Sequence, residues 1–188
     1  DPPQRPSSGE KKRILTVARL HPIKELPTLL RGLAVLNRSR DDFLLDIVGD
    51  GESRPDLESL AHRLGLQRQV TFHGFQPTAT VAGFMRRSNV FVLSSRSENC
   101  PCAVLEALTS GLPVVSSDVG GVREIVPKHM GALFPVGDEE ALAGSLSSVL
   151  DRLDSYDQFE IAAYARANFS REVVGVQIDE AYNRVLAS

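Results

Sequence analysis

From Arg13 onward, short apolar runs alternate with stretches whose apolar residues recur at helical spacing. This alternation restricts the chain to very few architectures. Residues 13–18 (Arg-Ile-Leu-Thr-Val-Ala) read as a strand, and residues 26–36 as a helix with Leu26, Leu29, Leu30, Leu33 and Leu36 on one face. Residues 43–48 form a second strand, ended by Gly49-Asp50-Gly51, and residues 55–64 a helix stopped at Gly65. Strands over 69–72, 89–93, 113–116 and 132–134 follow, with helices over 78–87, 101–109 and 122–126 between them. Three helical stretches, 139–153, 157–168 and 171–186, close the chain. Most strands are nearly continuous apolar runs, as strands buried on both faces must be. The pattern predicts an α/β domain, a Rossmann-like doubly wound parallel sheet of about six strands, with C-terminal helices packed outside it.

The chain has 188 residues, which suits one domain with a small appendage. The 42% hydrophobic content is enough for a sizeable core. With 21 basic against 24 acidic residues, the net charge of −3 argues against nucleic acid as a partner, since a phosphate-tracking surface needs a basic excess. No uncharged apolar run has the length of a membrane span, and the opening residues do not read as a signal peptide. Trp is absent and aromatics are 6%, which disfavours a module that stacks sugars on exposed rings. The two cysteines, Cys100 and Cys102, are one residue apart and make no disulfide framework, so the cytoplasm is the expected compartment. Residues 1–12, opening Asp1-Pro2-Pro3-Gln4-Arg5-Pro6, read as an extended linker, and residues 13–188 as the folded domain. The expectation is a piece of a longer chain, cut at a domain boundary.

Doubly wound sheets bind ligands beyond the carboxyl ends of their strands, so the residues after each strand carry the functional question. Arg19 and Lys24 follow the first strand. A planar guanidinium fork and a mobile ammonium suit a diphosphate, and two solvated surface cations are the alternative. Gly49-Asp50-Gly51-Glu52-Ser53-Arg54 resembles the start of a dinucleotide fingerprint, but Arg54 takes the third small-residue position and two acids would repel a pyrophosphate. A plain tight turn is the preferred reading. His73-Gly74-Phe75 follows the third strand, either as a partly buried histidine or as exposed backbone for a base edge. After the fourth strand, Glu98 precedes Cys100-Pro101-Cys102-Ala103-Val104 and Glu106. Pro101 suits the first helical position, which leaves the N–H groups of Cys102, Ala103 and Val104 to meet a phosphate at the helix start. Glu106 leans back toward that mouth and can accept two hydrogen bonds from a ribose diol. Two surface carboxylates are the alternative. Cys100 and Cys102 are too close, and too far from other ligands, for a structural zinc site. Gly120-Gly121 after the fifth strand admits either a close ligand or a simple turn.

Taken together, these segments are far more specific than any one alone. Val17-Ala18-Arg19-Leu20…Lys24, Ile47-Val48-Gly49-Asp50-Gly51 and Val70-Thr71-Phe72-His73-Gly74 occur in order. Then come Glu98, seven residues, Glu106-Ala107-Leu108, Gly111-Leu112-Pro113-Val114-Val115, and Gly120-Gly121-Val122-Arg123-Glu124-Ile125-Val126. Over residues 11–186 the chain resembles the C-terminal, donor-binding domain of the family 4 retaining glycosyltransferases, whose fold is the two-domain GT-B. The resemblance implies that Arg19 and Lys24 hold the donor diphosphate and stabilise the leaving nucleotide. It gives hydroxyls of the donor sugar to Glu98 and the ribose to Glu106. Backbone near Cys100, Cys102, Ala103 and Val104 would meet sugar and diphosphate, and His73, Gly74 and Phe75 the base. Arg19, Lys24 and Glu98 would be the catalytic set. The implied reaction moves a sugar from a nucleotide diphosphate sugar to an acceptor hydroxyl with retention, without metal or other cofactor, the donor being a substrate. Acceptor recognition, and any peripheral membrane contact, would come through an absent N-terminal domain.

Two departures from the family pattern stand out. Glu25 follows Lys24 where the family commonly has Gly, and Asn99-Cys100-Pro101 stands where Gly-Phe-Gly is common. Rival readings are a nicotinamide-dinucleotide-binding oxidoreductase domain, a glycoside hydrolase using Glu98 and Glu106 as its carboxylate pair, and a non-catalytic nucleotide-binding module.

Overall fold

A computed structural model of the chain describes residues 10–186. The linker expected at 1–12 falls mostly outside them, and its last residue is corrected: Lys12 opens strand β1 (Lys12–Val17). The other strands are β2 (Phe43–Val48), β3 (Val70–Phe72), β4 (Val90–Leu93), β5 (Val114–Ser117) and β6 (Gly131–Phe134). They form one six-stranded sheet in the order β3-β2-β1-β4-β5-β6, and every pairing is parallel. The expected α/β fold class is therefore found.

The helices are α1 (Leu26–Leu36), α2 (Arg54–Arg63), α3 (Thr78–Arg87), α4 (Cys102–Thr109), α5 (Val122–Ile125), α6 (Glu139–Asp151), α7 (Gln158–Phe169) and α8 (Arg171–Leu186). The chain steps from β1 to β2 to β3 in one direction, then returns past β1 to β4, β5 and β6. Right-handed crossovers put α1 and α2 on one face and α3, α4 and α5 on the other. Order reverses between β1 and β4, and that switch point is where a crevice opens.

The apolar periodicity explains the core. Leu26, Leu29, Leu30, Leu33 and Leu36 of α1 are all buried, as are Val90, Phe91, Val92 and Leu93 through β4. Helix α6 is started by the Asp138 carboxylate, which accepts from the Ala141 N–H. It packs on α1 and β6, whereas α7 packs on α4. The last helix differs: α8 buries no residue, and Val176, Ile178, Tyr182 and Val185 are exposed along it. Among the described residues, no helix is long and apolar enough to cross a membrane.

Candidate nucleotide-sugar site at the sheet switch point

Lys24 and Glu98 leave the neighbouring strands β1 and β4 and meet across the switch point. The Lys24 ammonium lies 2.6 Å from Glu98 Oε1, which also accepts from the Ser95 hydroxyl at 2.6 Å. The Glu98 side chain is only 10% exposed. A carboxylate so withdrawn from water keeps its hydrogen-bonding capacity met by the ammonium and the hydroxyl together. The surrounding backbone fixes both partners. Ser94 Oγ donates to the Lys24 carbonyl, Arg96 N–H to the Ile23 carbonyl, and Ser117 Oγ to the Ser95 carbonyl.

Gly120 completes this clamp. Its φ is +49°, and a Cβ there would lie 1.7 Å from the Glu98 carbonyl oxygen. Only a residue without a side chain lets the two loops touch. The close approach weighed for Gly120-Gly121 is therefore made by the chain's own backbone at Glu98 and Asn99.

Glu25 occupies a left-handed conformation, φ 49° and ψ 36°, which is costly for any residue but Gly. Its carboxylate pairs with Arg96 at 2.6 Å, tying the β1 loop to the β4 loop. The departure from the family's glycine thus replaces conformational freedom with an ion pair.

Arg19 does not join the Lys24–Glu98 pair. Its side chain is 71% exposed and lies 3.6 Å from Glu52, which is also 3.6 Å from His21 Nε2. The segment bearing Arg19 is nevertheless rigidly placed, because the Gly49-Asp50-Gly51 turn packs directly against it. A Cβ at Gly49 would lie 1.9 Å from the Ala18 carbonyl oxygen. The Leu20 N–H donates to the Asp50 carbonyl, and the Gly49 N–H to the Gly74 carbonyl. The tight-turn reading holds, and the dinucleotide reading loses its pyrophosphate cradle.

At the third strand end, His73 is the partly buried histidine of the two readings. The His73 imidazole is turned inward, 2.6 Å from buried Asp46 and 4.5 Å from the Phe84 ring. Asp46 also accepts from Arg13 at 2.8 Å, and the Arg87 guanidinium covers Phe84 at 3.6 Å. Burial pulls the Arg87 pKa below its ordinary value, with opposing attraction from Asp46. The His73 backbone is engaged too: its N–H donates to Ile47 and its carbonyl accepts from Gln76. The exposed backbone expected across 73–75 shrinks accordingly, and the Phe75 side chain, 78% exposed, is its outward member.

Helix α4 begins at Cys102, one residue later than expected, with Pro101 as its cap. The Pro101 carbonyl accepts from the Val104 N–H at 2.9 Å, so Val104 offers no N–H at the helix mouth, and its side chain is buried. This corrects the expectation for Val104. The mouth is left to Cys102 and Ala103, which precede that turn; both cysteine thiols are exposed. Glu106 is exposed on the outer side of α4 and lines a groove between α3 and α4 with Thr78, Val81, Ala82 and Met85. Its groove neighbours do not include Glu98, whose carboxylate is bonded to Lys24 and Ser95. Among the described residues, no group of three or more His, Cys, Asp or Glu is placed to hold a metal ion.

Sequence reasoning missed Glu52 beside Arg19, Ser95 beneath Glu98, and the α3 residues facing Glu106. The two serines directly after the apolar β4 run were the available signal for Ser95. Nothing in the sequence alone joins α3 to α4.

Comparison with known proteins agrees with this geometry. Residues 1–166 match the family described as glycosyl transferases group 1. An amylovoran biosynthesis glycosyltransferase, AmsK of Erwinia amylovora, is 33% identical over 141 residues, covering 71% of this chain and 35% of that protein. The apo lipopolysaccharide outer core galactosyltransferase WaaB superposes with a TM-score of 0.86 at 25% identity, over 97% of this chain and 51% of WaaB. HepE of Anabaena, in complex with UDP and glucose, gives 0.77 at 25% identity, over 95% and 49%. The chain thus spans about a third to about half of the length of these relatives. It belongs to the glycosyl transferases group 1 family and has the Rossmann-like fold of its GT-B members.

Proposed function

We propose that this chain is the donor-binding half of a retaining glycosyltransferase, with the nucleotide diphosphate lying across the β1–β4 switch point. The Lys24–Glu98 pair, with exposed Arg19 on the same β1 loop, is the observation that carries this reading. HepE, which shares the fold and is in complex with UDP and glucose, supports it. A cation neutralised by a carboxylate is not idle here. When a diphosphate arrives, Lys24 moves from Glu98 to the phosphates, and Arg19 adds its fork from the open side. Glu98, released from Lys24 but still bonded to Ser95, then accepts from hydroxyls of the donor sugar. The N–H groups at the start of α4 offer a further partial positive charge.

In the reaction, positive groups fixed around the diphosphate stabilise charge developing on the leaving nucleotide. The resemblance to the retaining family supports retention, with the leaving phosphate taking the acceptor proton. The donor is a substrate, and the proposed chemistry requires neither metal nor another cofactor. A separate acceptor-binding domain would exclude water and orient the acceptor, which contributes roughly 7–11 kcal/mol to lowering such barriers.

A thermal-shift panel of uridine, guanosine and adenosine diphosphates, with their glucose conjugates, tests this reading. A ligand at a hundred times its dissociation constant adds about 2.7 kcal/mol of stability. One base class is expected to raise the melting temperature, with chelators present or absent. No shift with any member overturns the proposal, and a shift with NAD alone favours the oxidoreductase alternative. With labelled donor and an acceptor panel, this chain alone is expected to show no sustained turnover. Multiple turnovers abolished by Glu98→Gln would contradict the half-enzyme reading.

A further inference from the structure

We infer that Glu25 and Arg96 are positioning residues, whose ion pair fixes the point from which Lys24 exchanges Glu98 for the donor diphosphate; this rests on the functional reading above. Glu25 is the one non-glycine residue with a left-handed backbone among the described residues. It stands where the short 3-10 turn Pro22–Lys24 hands over to α1, a position at which an acid ordinarily accepts from the free N–H groups of the helix. Its side chain makes no such bond. The carboxylate turns to Arg96 instead, at 2.6 Å, and is only 17% exposed there.

Stability does not account for this arrangement. A left-handed backbone is costly for a residue that carries a Cβ. An ion pair whose guanidinium is 69% exposed contributes little in return. What the pair supplies is the last of three tethers in a row. The Ile23 carbonyl accepts from the Arg96 N–H, the Lys24 carbonyl accepts from Ser94 Oγ, and the Glu25 carboxylate pairs with the Arg96 guanidinium. Three consecutive residues of the β1 loop are thus fastened to residues 94 and 96 of the β4 loop, with Glu98 two residues beyond. Arg96 holds the chain on both sides of Lys24, through its N–H before it and its guanidinium after it. The Lys24 backbone is therefore held while its ammonium leaves Glu98, and the exchange is confined to the side chain. A glycine at position 25 would give the same backbone without the third tether.

The test is a double-mutant cycle on the whole chain. It is read by calorimetric titration with uridine, guanosine and adenosine diphosphates and their parent nucleosides, alongside melting temperatures. Glu25→Gly and Arg96→Met should each weaken the nucleoside diphosphate about threefold or more, and the nucleoside less than about twofold. Arg96→Lys, which keeps a cation opposite Glu25, should recover most of the loss. In a Lys24→Met background neither change should weaken the diphosphate further, because the pair acts through Lys24. If Lys24→Met does not fold or bind, the split between diphosphate and nucleoside in the two single variants decides alone. A merely structural role would lower the melting temperature and weaken both ligands alike. Equal losses for the two ligands, unchanged diphosphate affinity in both variants, or losses of the same size with and without Lys24 overturn the inference. A wild-type chain that binds no nucleoside diphosphate overturns the functional reading, and this inference with it.

Discussion

Arg19 and Lys24 follow the same strand five residues apart, yet they end in opposite situations. Lys24 is three-quarters covered and bonded to Glu98 inside a frame of loops from β1, β4 and β5. Arg19 stands in solvent with a loose partner. The difference follows from what lies beneath each. Lys24 faces the switch point, where the β4 loop crosses over it, whereas Arg19 rides on the Gly49-Asp50-Gly51 turn at the open side. A framed ion pair holds both groups in place before a ligand arrives, at the cost of an exchange of partners on binding. An exposed arginine adds charge without such an exchange but must be ordered by the ligand.

The strongest way to break this comparison is to break the frame. Gly120→Ala puts a methyl group against the Glu98 carbonyl at a left-handed position. We expect a stability loss of about 2 kcal/mol or more, together with loss of nucleoside diphosphate binding. Gly65→Ala is the control, since φ is +73° there but nothing lies within 4 Å of the new methyl group. It should cost about 1 kcal/mol and leave binding intact. Equal losses in urea denaturation would show that the clamp on Glu98 does not matter.

Lys24→Met should leave Glu98 short of a partner at 10% exposure. The expected cost is roughly 1–3 kcal/mol of stability, besides weaker nucleotide binding. Arg19→Ala should change stability by less than about 0.5 kcal/mol, because the side chain is exposed. Similar melting temperatures for the two variants would erase the distinction.

Glu25 sharpens the comparison at smaller scale. Glu25→Gly relieves the left-handed backbone and loses the Arg96 pair, whereas Glu25→Ala keeps the first cost and also loses the pair. The glycine variant should therefore be more stable than the alanine variant by about 1 kcal/mol. Equal stability would mean that backbone conformation contributes nothing at this corner.

The smallest effect lies far from the site. Hydrogen bonding to Arg40 holds the Asp42 carboxyl below its ordinary value of 3.8. A depressed folded value means stability that is present above that pH and lost as pH falls through the folded value. Asp42 is half exposed, so solvent screening keeps this under about 1 kcal/mol. Arg40→Gln should flatten that part of the acid denaturation curve without altering nucleotide binding at neutral pH.

The sheet was legible because each strand's apolar run and each helix's leucine stripe is a local signal. Phe43 to Val48 and Leu26 to Leu36 fall where periodicity puts them. The site was legible only in outline. Residue order placed Arg19, Lys24 and Glu98 at strand ends, but pairing Lys24 with Glu98, 74 positions away, requires knowing which strands are neighbours. The two readings of His73 stayed open for the same reason. Its partner Asp46 sits within an apolar strand, and only the β2–β3 pairing brings them together. Val104 was misjudged by one residue, because Pro101 caps α4 rather than beginning it.

The central claim is that the β1–β4 corner binds a diphosphate through two unlike cations. Calorimetric titration of wild type and Arg19→Ala with a nucleoside diphosphate and with its parent nucleoside tests this most directly. Charge-assisted hydrogen bonds contribute roughly 1.5–3 kcal/mol each, so Arg19→Ala should weaken the diphosphate about tenfold or more. The nucleoside should be affected less than about twofold, since Arg19 would meet phosphate and not base or ribose. Equal losses for the two ligands, or no loss for either, would contradict the account.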